Sequence, residues 1–169
     1  CKEYTMKDWL YILMLASVLV IFKNTIVKGE EKEIACLAEA VYFEARSEGI
    51  LSQLGVAVVV LNRANLYDYP SNLCDVVHQS KLWKGNPVRN KCMFSYWCDG
   101  KAERITDHDA YERSLFVSKL ALNGVTIKYI QDATHYHAQY VKPFWATSPR
   151  FKRLVQLGSH IFYLDTKAK

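Results

Sequence analysis

The chain alternates between three kinds of hydrophobic pattern. Residues 9–22, WLYILMLASVLVIF, are apolar with Ser17 as the one polar member. A run of this kind predicts a hydrophobic helix, although a membrane span needs about twenty residues. It reads as an export signal or an uncleaved signal-anchor, with a buried core helix as the plainer alternative, so membrane anchoring through residues 9–22 is expected. A charged hinge, KGEEKE at residues 28–33, follows it. Ile34, Leu37, Ala38, Val41, Tyr42 and Ala45 then recur at helical spacing, which predicts an amphipathic helix. Glu30, Glu31 and Glu33 favour its N-terminal end through the helix dipole, and Gly49 is a natural stop. Residues 51–65, LSQLGVAVVVLNRAN, are apolar on nearly every side. VAVVVL has strand propensity, but fifteen residues without a break favour a buried helix.

The rest is more broken. Residues 66–106 hold Pro70, Gly85, Pro87 and Gly100 and read as loops with short elements. Residues 107–123 predict another helix, capped by Thr106 or Asp107 and closed by Asn123-Gly124. THYHAQYVKPFWA follows, then a basic loop with Arg150, Lys152 and Arg153. In GSHIFYL the last four residues read as a short terminal strand. The expectation is an α+β chain, mainly α. A hydrophobic segment and hinge occupy 1–33, and one folded domain occupies 34–169.

Composition narrows the class. Of 169 residues, 50% are hydrophobic and 23% charged, so a core is expected rather than disorder. The net charge of +5 favours an anionic partner such as an acidic lipid or cell-wall polymer. No nucleic-acid motif accompanies it, so no nucleic acid is expected. Eleven Tyr and four Trp suit a groove that stacks on sugar rings as well as they suit a core. The five cysteines, Cys1, Cys36, Cys74, Cys92 and Cys98, form no CxxC pair, which disfavours a zinc knuckle. One disulfide is expected among Cys74, Cys92 and Cys98, with the pairing open.

The stretch CLAEAVYFEARSEG, residues 36–49, sets Glu39, Glu44 and Glu48 among apolar neighbours. Glu44 lies about 80° from the centre of the apolar stripe and Glu48 about 50°, whereas Glu39 and Arg46 fall toward solvent. A carboxyl at the stripe's edge is partly desolvated, which raises its pKa. That is what a general acid needs near neutral pH. The plainer alternative for Glu44 is a flank ion pair with Arg46 or a distant Lys. Glu48 is unfavourable with the helix dipole, so it is expected to accept hydrogen bonds from a following segment, with Ser52 or Gln53 as donors.

CLAEAVYFEARSEG, GVAVVVLNR, YPSNLCDVVHQ, CMFSYWCDG, ATHYHAQYVKPFWA and GSHIFY occur in this order. Together they resemble the cell-wall hydrolases of the spore-cortex-lytic type, a family also found in bacteria without spores and in bacteriophages. The resemblance covers about residues 34–163 and implies a lysozyme-like, helix-dominated fold with a short β region. It implies cleavage of peptidoglycan between MurNAc and GlcNAc by a lytic transglycosylase, with Glu44 as the one catalytic glutamate, acid and then base. A muramidase using a second carboxylate, with Glu48 or Asp99 available, is the nearest alternative. Two positions depart from the family pattern, which often has glycine where Ser47 and Ser52 stand here.

Ser95, Trp97, Tyr136 and His137 are the candidate substrate-binding residues. In an extended chain His135 and His137 share one side and Tyr136 takes the other. His160 reads as structural. A zinc hydrolase using His135, His137 and His160 lacks any ligand spacing such as HExxH, so no metal and no cofactor are expected. A non-catalytic peptidoglycan-binding or virion module is the remaining alternative. The substrate places the chain in the cell envelope, at the outer face of the cytoplasmic membrane, in the periplasm, or outside the cell. Phage endolysin and virion or envelope assembly contexts stay open.

Overall fold

Val56, Ala57, Val58, Val59 and Val60 are all buried in the computed structural model, which describes Met14 and residues 28–169. Five consecutive helical residues sweep more than a full turn, so the helix that carries them is covered on every side. That helix is α2, Ile50–Ala64. Its β-branched residues would suit a strand, but tertiary burial overrides the local preference.

The chain divides into two units, residues 1–32 and 33–169, and the second carries the architecture described below. Residues 28–45 are helical and constitute the described part of α1. Its buried positions include Leu37, Ala38, Val41, Tyr42 and Ala45, as the periodicity predicts. Gly49 does not close α1. It is the extended N-cap of α2, with φ −67° and ψ 160°, and residues 46–48 make the turn between the helices.

α2 packs against α3 (Leu73–Val77), α4 (His108–Leu122) and two strands of the main sheet, β3 (His135–Ala138) and β4 (Phe151–Leu157). α4 begins where predicted, because the Asp107 side chain accepts from the Ala110 N–H. The Tyr42 hydroxyl accepts from the N–H groups of Thr106 and Asp107, which ties the start of α4 to α1.

The main sheet is antiparallel with order β3-β5-β4, where β5 is His160–Asp165. Phe162 of β5 is fully buried and meets α2 at Gly55, where a methyl group would overlap the Phe162 ring. β4 occupies much of the stretch expected to be a basic loop. Its pairing with β5 shifts register between Arg153 and Val155. A bulge breaks the two-residue alternation, which hides the strand from a periodicity reading. β1 (Ser80–Trp83) and β2 (Asn86–Cys92) form a separate hairpin. Its turn residues, Lys84 and Gly85, both have positive φ, 50° and 81°, as a two-residue primed turn requires.

Among the described residues two disulfides are present, Cys36–Cys74 and Cys92–Cys98. The second lies inside the expected cysteine-rich region. The first is a bridge the sequence reading does not anticipate: Cys74 pairs with Cys36 on α1, because α3 is laid beside α1 rather than left in a loop.

The signal-anchor reading and membrane anchoring through residues 9–22 are also corrected. Among the described residues no helix is long and apolar enough to cross a membrane. Residues 9–22, apart from Met14, lie outside the described residues. Fourteen helical residues would extend about 21 Å against a hydrocarbon core of about 30 Å.

Candidate active site

Two helix ends, strands of the main sheet and connecting segments converge on a cleft of about 520 Å³, with His160 of β5 among its lining. The last turn of α1 brings Phe43 and Glu44, and the last turn of α2 brings Arg63. β3 brings Tyr136 and His137. The segment after β2 brings Met93, Phe94, Ser95, Tyr96 and Asp99. Each helix ends at the cleft, so its side chains project there from rigid backbone.

Glu44 is half-buried, as its place at the stripe's edge predicts. Burial raises its carboxyl pKa above the ordinary value. A hydrogen bond from the Tyr136 hydroxyl and the charge of Arg63 oppose that rise, and burial wins. The carboxyl therefore keeps its proton to higher pH than a solvated glutamate, yet two groups stand ready to stabilise the carboxylate once the proton leaves.

Tyr136 is oriented from behind. Its ring meets the His160 ring edge-on, with centroids 5.2 Å apart and planes at 85°. His160 is held in turn by Ser52. The Ser52 hydroxyl donates to the Leu157 carbonyl at 3.1 Å and lies 2.9 Å from His160 Nδ1. A hydroxyl has one proton to give, so His160 carries its proton on Nδ1 and donates to Ser52. One of the two departures from the family pattern thus has a local role. The other, Ser47, is exposed in the turn after α1.

Arg63 is a site residue that the sequence reading does not single out. It is 4% exposed, its Nε donates to the Thr134 carbonyl at 2.8 Å, and its guanidinium lies over the rings of Tyr69 and Phe94. The ion pairs among the described residues join Glu39–His78, Asp99–Lys101 and Asp165–Arg150, and none involves it. Among the described residues Glu44 is the carboxylate whose charge acts on it. The signal in the sequence is a cation on a helix otherwise too apolar to carry one, since a buried Arg needs a reason.

The other candidates separate. Ser95 lines the cleft, and so does His137, which donates from Nδ1 to the Ala138 carbonyl at 2.9 Å and lies 3.0 Å from the Tyr163 hydroxyl through Nε2. Trp97 is absent from the cleft's lining residues. It stacks on His78 with ring centroids 3.7 Å apart. His78 Nε2 lies 3.2 Å from Glu39 Oε1, so Glu39 has a partner rather than only solvent. Glu48 is not among the residues lining the cleft and accepts from the N–H and hydroxyl of Ser159. Those bonds lower its pKa. Ser52 and Gln53 do not bind its carboxylate; Gln53 donates to its backbone carbonyl at 3.0 Å. The second carboxyl lining the cleft is Asp99, which accepts from the Lys101 N–H.

His135 and His137 both face Trp145. Burial and the charge of Arg63 bring the pKa of His135 down to about 4. Among the described residues, no three of His, Cys, Asp or Glu assemble into a group able to hold a metal ion.

The arrangement can donate one proton into an open, polar cleft and then hold the resulting carboxylate for reprotonation. Known proteins share the framework. The chain is 33% identical over 138 residues to the spore cortex-lytic enzyme of Halalkalibacterium halodurans, covering 78% of this chain and 34% of that protein. It is 30% identical over 133 residues to the spore cortex-lytic enzyme of Bacillus subtilis, covering 77% and 37%. It thus spans little more than a third of these curated relatives. The catalytic domain of the Bacillus cereus SleB protein superposes with a TM-score of 0.60 at 24% identity, over 79% of this chain and 90% of that one. The catalytic domain of a germination-specific lytic transglycosylase, SleB of Bacillus anthracis, gives 0.58 at 24% identity, over 78% and 93%. At that identity the likeness concerns the fold: several helices with a small β-sheet region. The family model described as cell wall hydrolase matches residues 47–163, starting three residues after Glu44. With more than half its length matched, the chain belongs to the cell wall hydrolase family.

Proposed function

We propose that this chain cleaves the glycan strands of peptidoglycan between MurNAc and GlcNAc as a lytic transglycosylase. The observation that carries the reading is Glu44: a carboxyl whose pKa burial raises, lining a polar cleft, between the Tyr136 hydroxyl and the Arg63 charge. The Bacillus anthracis relative, a germination-specific lytic transglycosylase, supports the same reaction. The catalytic domain is residues 34–169, with a lysozyme-like fold.

The reaction balances with one residue. Glu44 gives its proton to the glycosidic oxygen, the bond to the MurNAc anomeric carbon breaks, and GlcNAc leaves with a hydroxyl. The cationic centre is captured by the sugar's own 6-hydroxyl. The carboxylate of Glu44 takes the proton released there, and a 1,6-anhydro ring closes. No water is consumed and the enzyme returns to its starting state. Tyr136 and Arg63 stabilise the carboxylate between the two transfers. Ser95 and His137 supply polar contacts to the sugars.

Asp99 favours a second reading, since it lines the same cleft. A muramidase would use it to activate water, as paired carboxylates do in ordinary glycosidases. The substrate lies outside the cytoplasmic membrane, and two disulfides suit such an oxidising compartment, so the site of action is the cell envelope.

Glu44→Gln tests the assignment. The side chains are nearly isosteric, so the variant keeps the wild-type melting temperature. Clearing of purified sacculi falls by at least about 100-fold, the usual contribution of a general acid. Clearing near the wild-type rate in a folded variant removes Glu44 from the chemistry.

A further inference from the structure

The β1–β2 hairpin reaches the cleft at Cys92 and is otherwise unused by the mechanism above. Both of its faces are solvent-exposed along almost its whole length. Over residues 80–92 it carries Lys81, Lys84, Arg89 and Lys91 and no carboxylate. A depression of about 510 Å³ runs along it, lined by Lys81, Trp83, Lys84, Pro87, Val88 and Lys91 among others. Trp83 is 71% exposed and Leu82 58%. An indole this exposed contributes little to folding and offers a flat apolar face. None of the ion pairs found among the described residues involves these lysines. Lys84 also holds a left-handed backbone conformation, φ 50°, where Asn or Gly is the favourable choice. A cation is kept there at a backbone cost.

The hairpin continues into the cleft. β2 ends at Cys92, Cys92 and Met93 line the cleft, and the Cys92–Cys98 bridge fastens the base of the hairpin to the loop that carries Ser95 and Tyr96. From that base β2 extends about 20 Å. A polymer threaded through the cleft can therefore run onto the hairpin.

We infer that the β1–β2 hairpin is a second binding platform for the glycan strand, with Trp83 stacking on a sugar ring and Lys81, Lys84 and Lys91 pairing with stem-peptide carboxylates. The inference rests on the proposed substrate, whose strands combine sugar faces with regularly spaced carboxylates. Each exposed ion pair is weak, but several on one strand raise the local concentration of the scissile bond at Glu44. The platform serves long, peptide-bearing strands and leaves short fragments indifferent to it.

The test uses the full chain. In a Glu44→Gln background, which binds without cutting, Trp83→Ala combined with Lys81→Ser, Lys84→Ser and Lys91→Ser lowers retention on purified sacculi at least tenfold. Retention of the unsubstituted hairpin falls similarly on sacculi whose carboxyl groups are converted to amides by carbodiimide coupling, and falls with added salt. With Glu44 intact, the hairpin variant clears sacculi slowly but cuts a short soluble muropeptide oligomer at the wild-type rate. Equal retention of both hairpins on sacculi overturns the inference, as does equal retention on amidated and untreated sacculi. If the fourfold variant melts early, Trp83→Ala alone is compared in the same way. A wild-type chain that binds sacculi through the hairpin but cuts neither substrate would sink the catalytic reading instead.

Discussion

A carboxyl at the margin of an apolar stripe is the most informative residue in the chain. Its helical angle places Glu44 half in and half out of water, and the structure finds it there, raised in pKa by burial. The groups that tune it are less legible, because they come from elsewhere in the chain. Tyr136 can be placed on one side of an extended segment, but nothing local says that Arg63 of α2 lies beneath both. The pH dependence follows from this geometry. In the proposed reaction Glu44 must be protonated to act, so activity is expected to fall as pH rises through its pKa, which lies above that of a solvated glutamate. Tyr136 and Tyr96 face it as neutral phenols held well above their ordinary range, while Asp99, His137 and His160 share the cleft. Removing the Arg63 charge makes the carboxylate less favourable. Arg63→Met therefore moves the alkaline limb of activity upward by about one pH unit and lowers the maximal rate, while Arg63→Lys leaves the limb near wild type. A pH–rate profile on sacculi reads both variants. An unmoved limb in a folded Arg63→Met protein would show that the charge does not reach Glu44.

At the scale of elements, α2 organises the domain and is recognisable by its length and its lack of any polar face. Periodicity also places α1, α4 and β5, the last one residue short at each end. β4 escapes because its bulge interrupts the alternation, and Gly49 reads as the end of the wrong helix because the turn between α1 and α2 is only a few residues long. The contact between α2 and β5 is the least visible of these features, since a glycine in a helix carries no sign of what it faces. Gly55→Ala tests it. In an open helix this change stabilises by up to about 1 kcal/mol. Here the added methyl meets the Phe162 ring, and overpacking of this kind destabilises by about 1–3 kcal/mol. Equilibrium denaturation gives the sign, and a gain in stability would mean that the helix and sheet do not approach as described.

Across residues 33–169 two covalent ties complement the core. Cys36–Cys74 closes a separation of 38 residues, which restricts the unfolded chain by about 4 kcal/mol in the loop-entropy treatment. Cys92–Cys98, with a separation of 6, contributes about 2 kcal/mol in the same treatment. Replacing Cys36 and Cys74 together by Ala lowers unfolding free energy by about 2–4 kcal/mol under oxidising conditions, measured by denaturant titration, and removes most of the sensitivity of the wild type to reductant. The pairing is not readable from the sequence because Cys36 sits on a regular helix, far along the chain from the cysteine-rich loops. The reaction itself is not in the periodicity. Spacing locates the proposed proton donor, the ordered motifs supply the family, and the folded cleft joins them.

The central claim is that Glu44 cuts glycan strands without consuming water. Mass spectrometry of muropeptides released from purified sacculi by the full chain, with Glu44→Gln alongside, addresses it directly. The account predicts 1,6-anhydro ends, lighter by one water than hydrolytic products, from the wild type and no release from the variant. Reducing MurNAc ends would contradict the transglycosylase reaction and turn attention to Asp99, and intact sacculi after treatment with the wild type would contradict cleavage altogether.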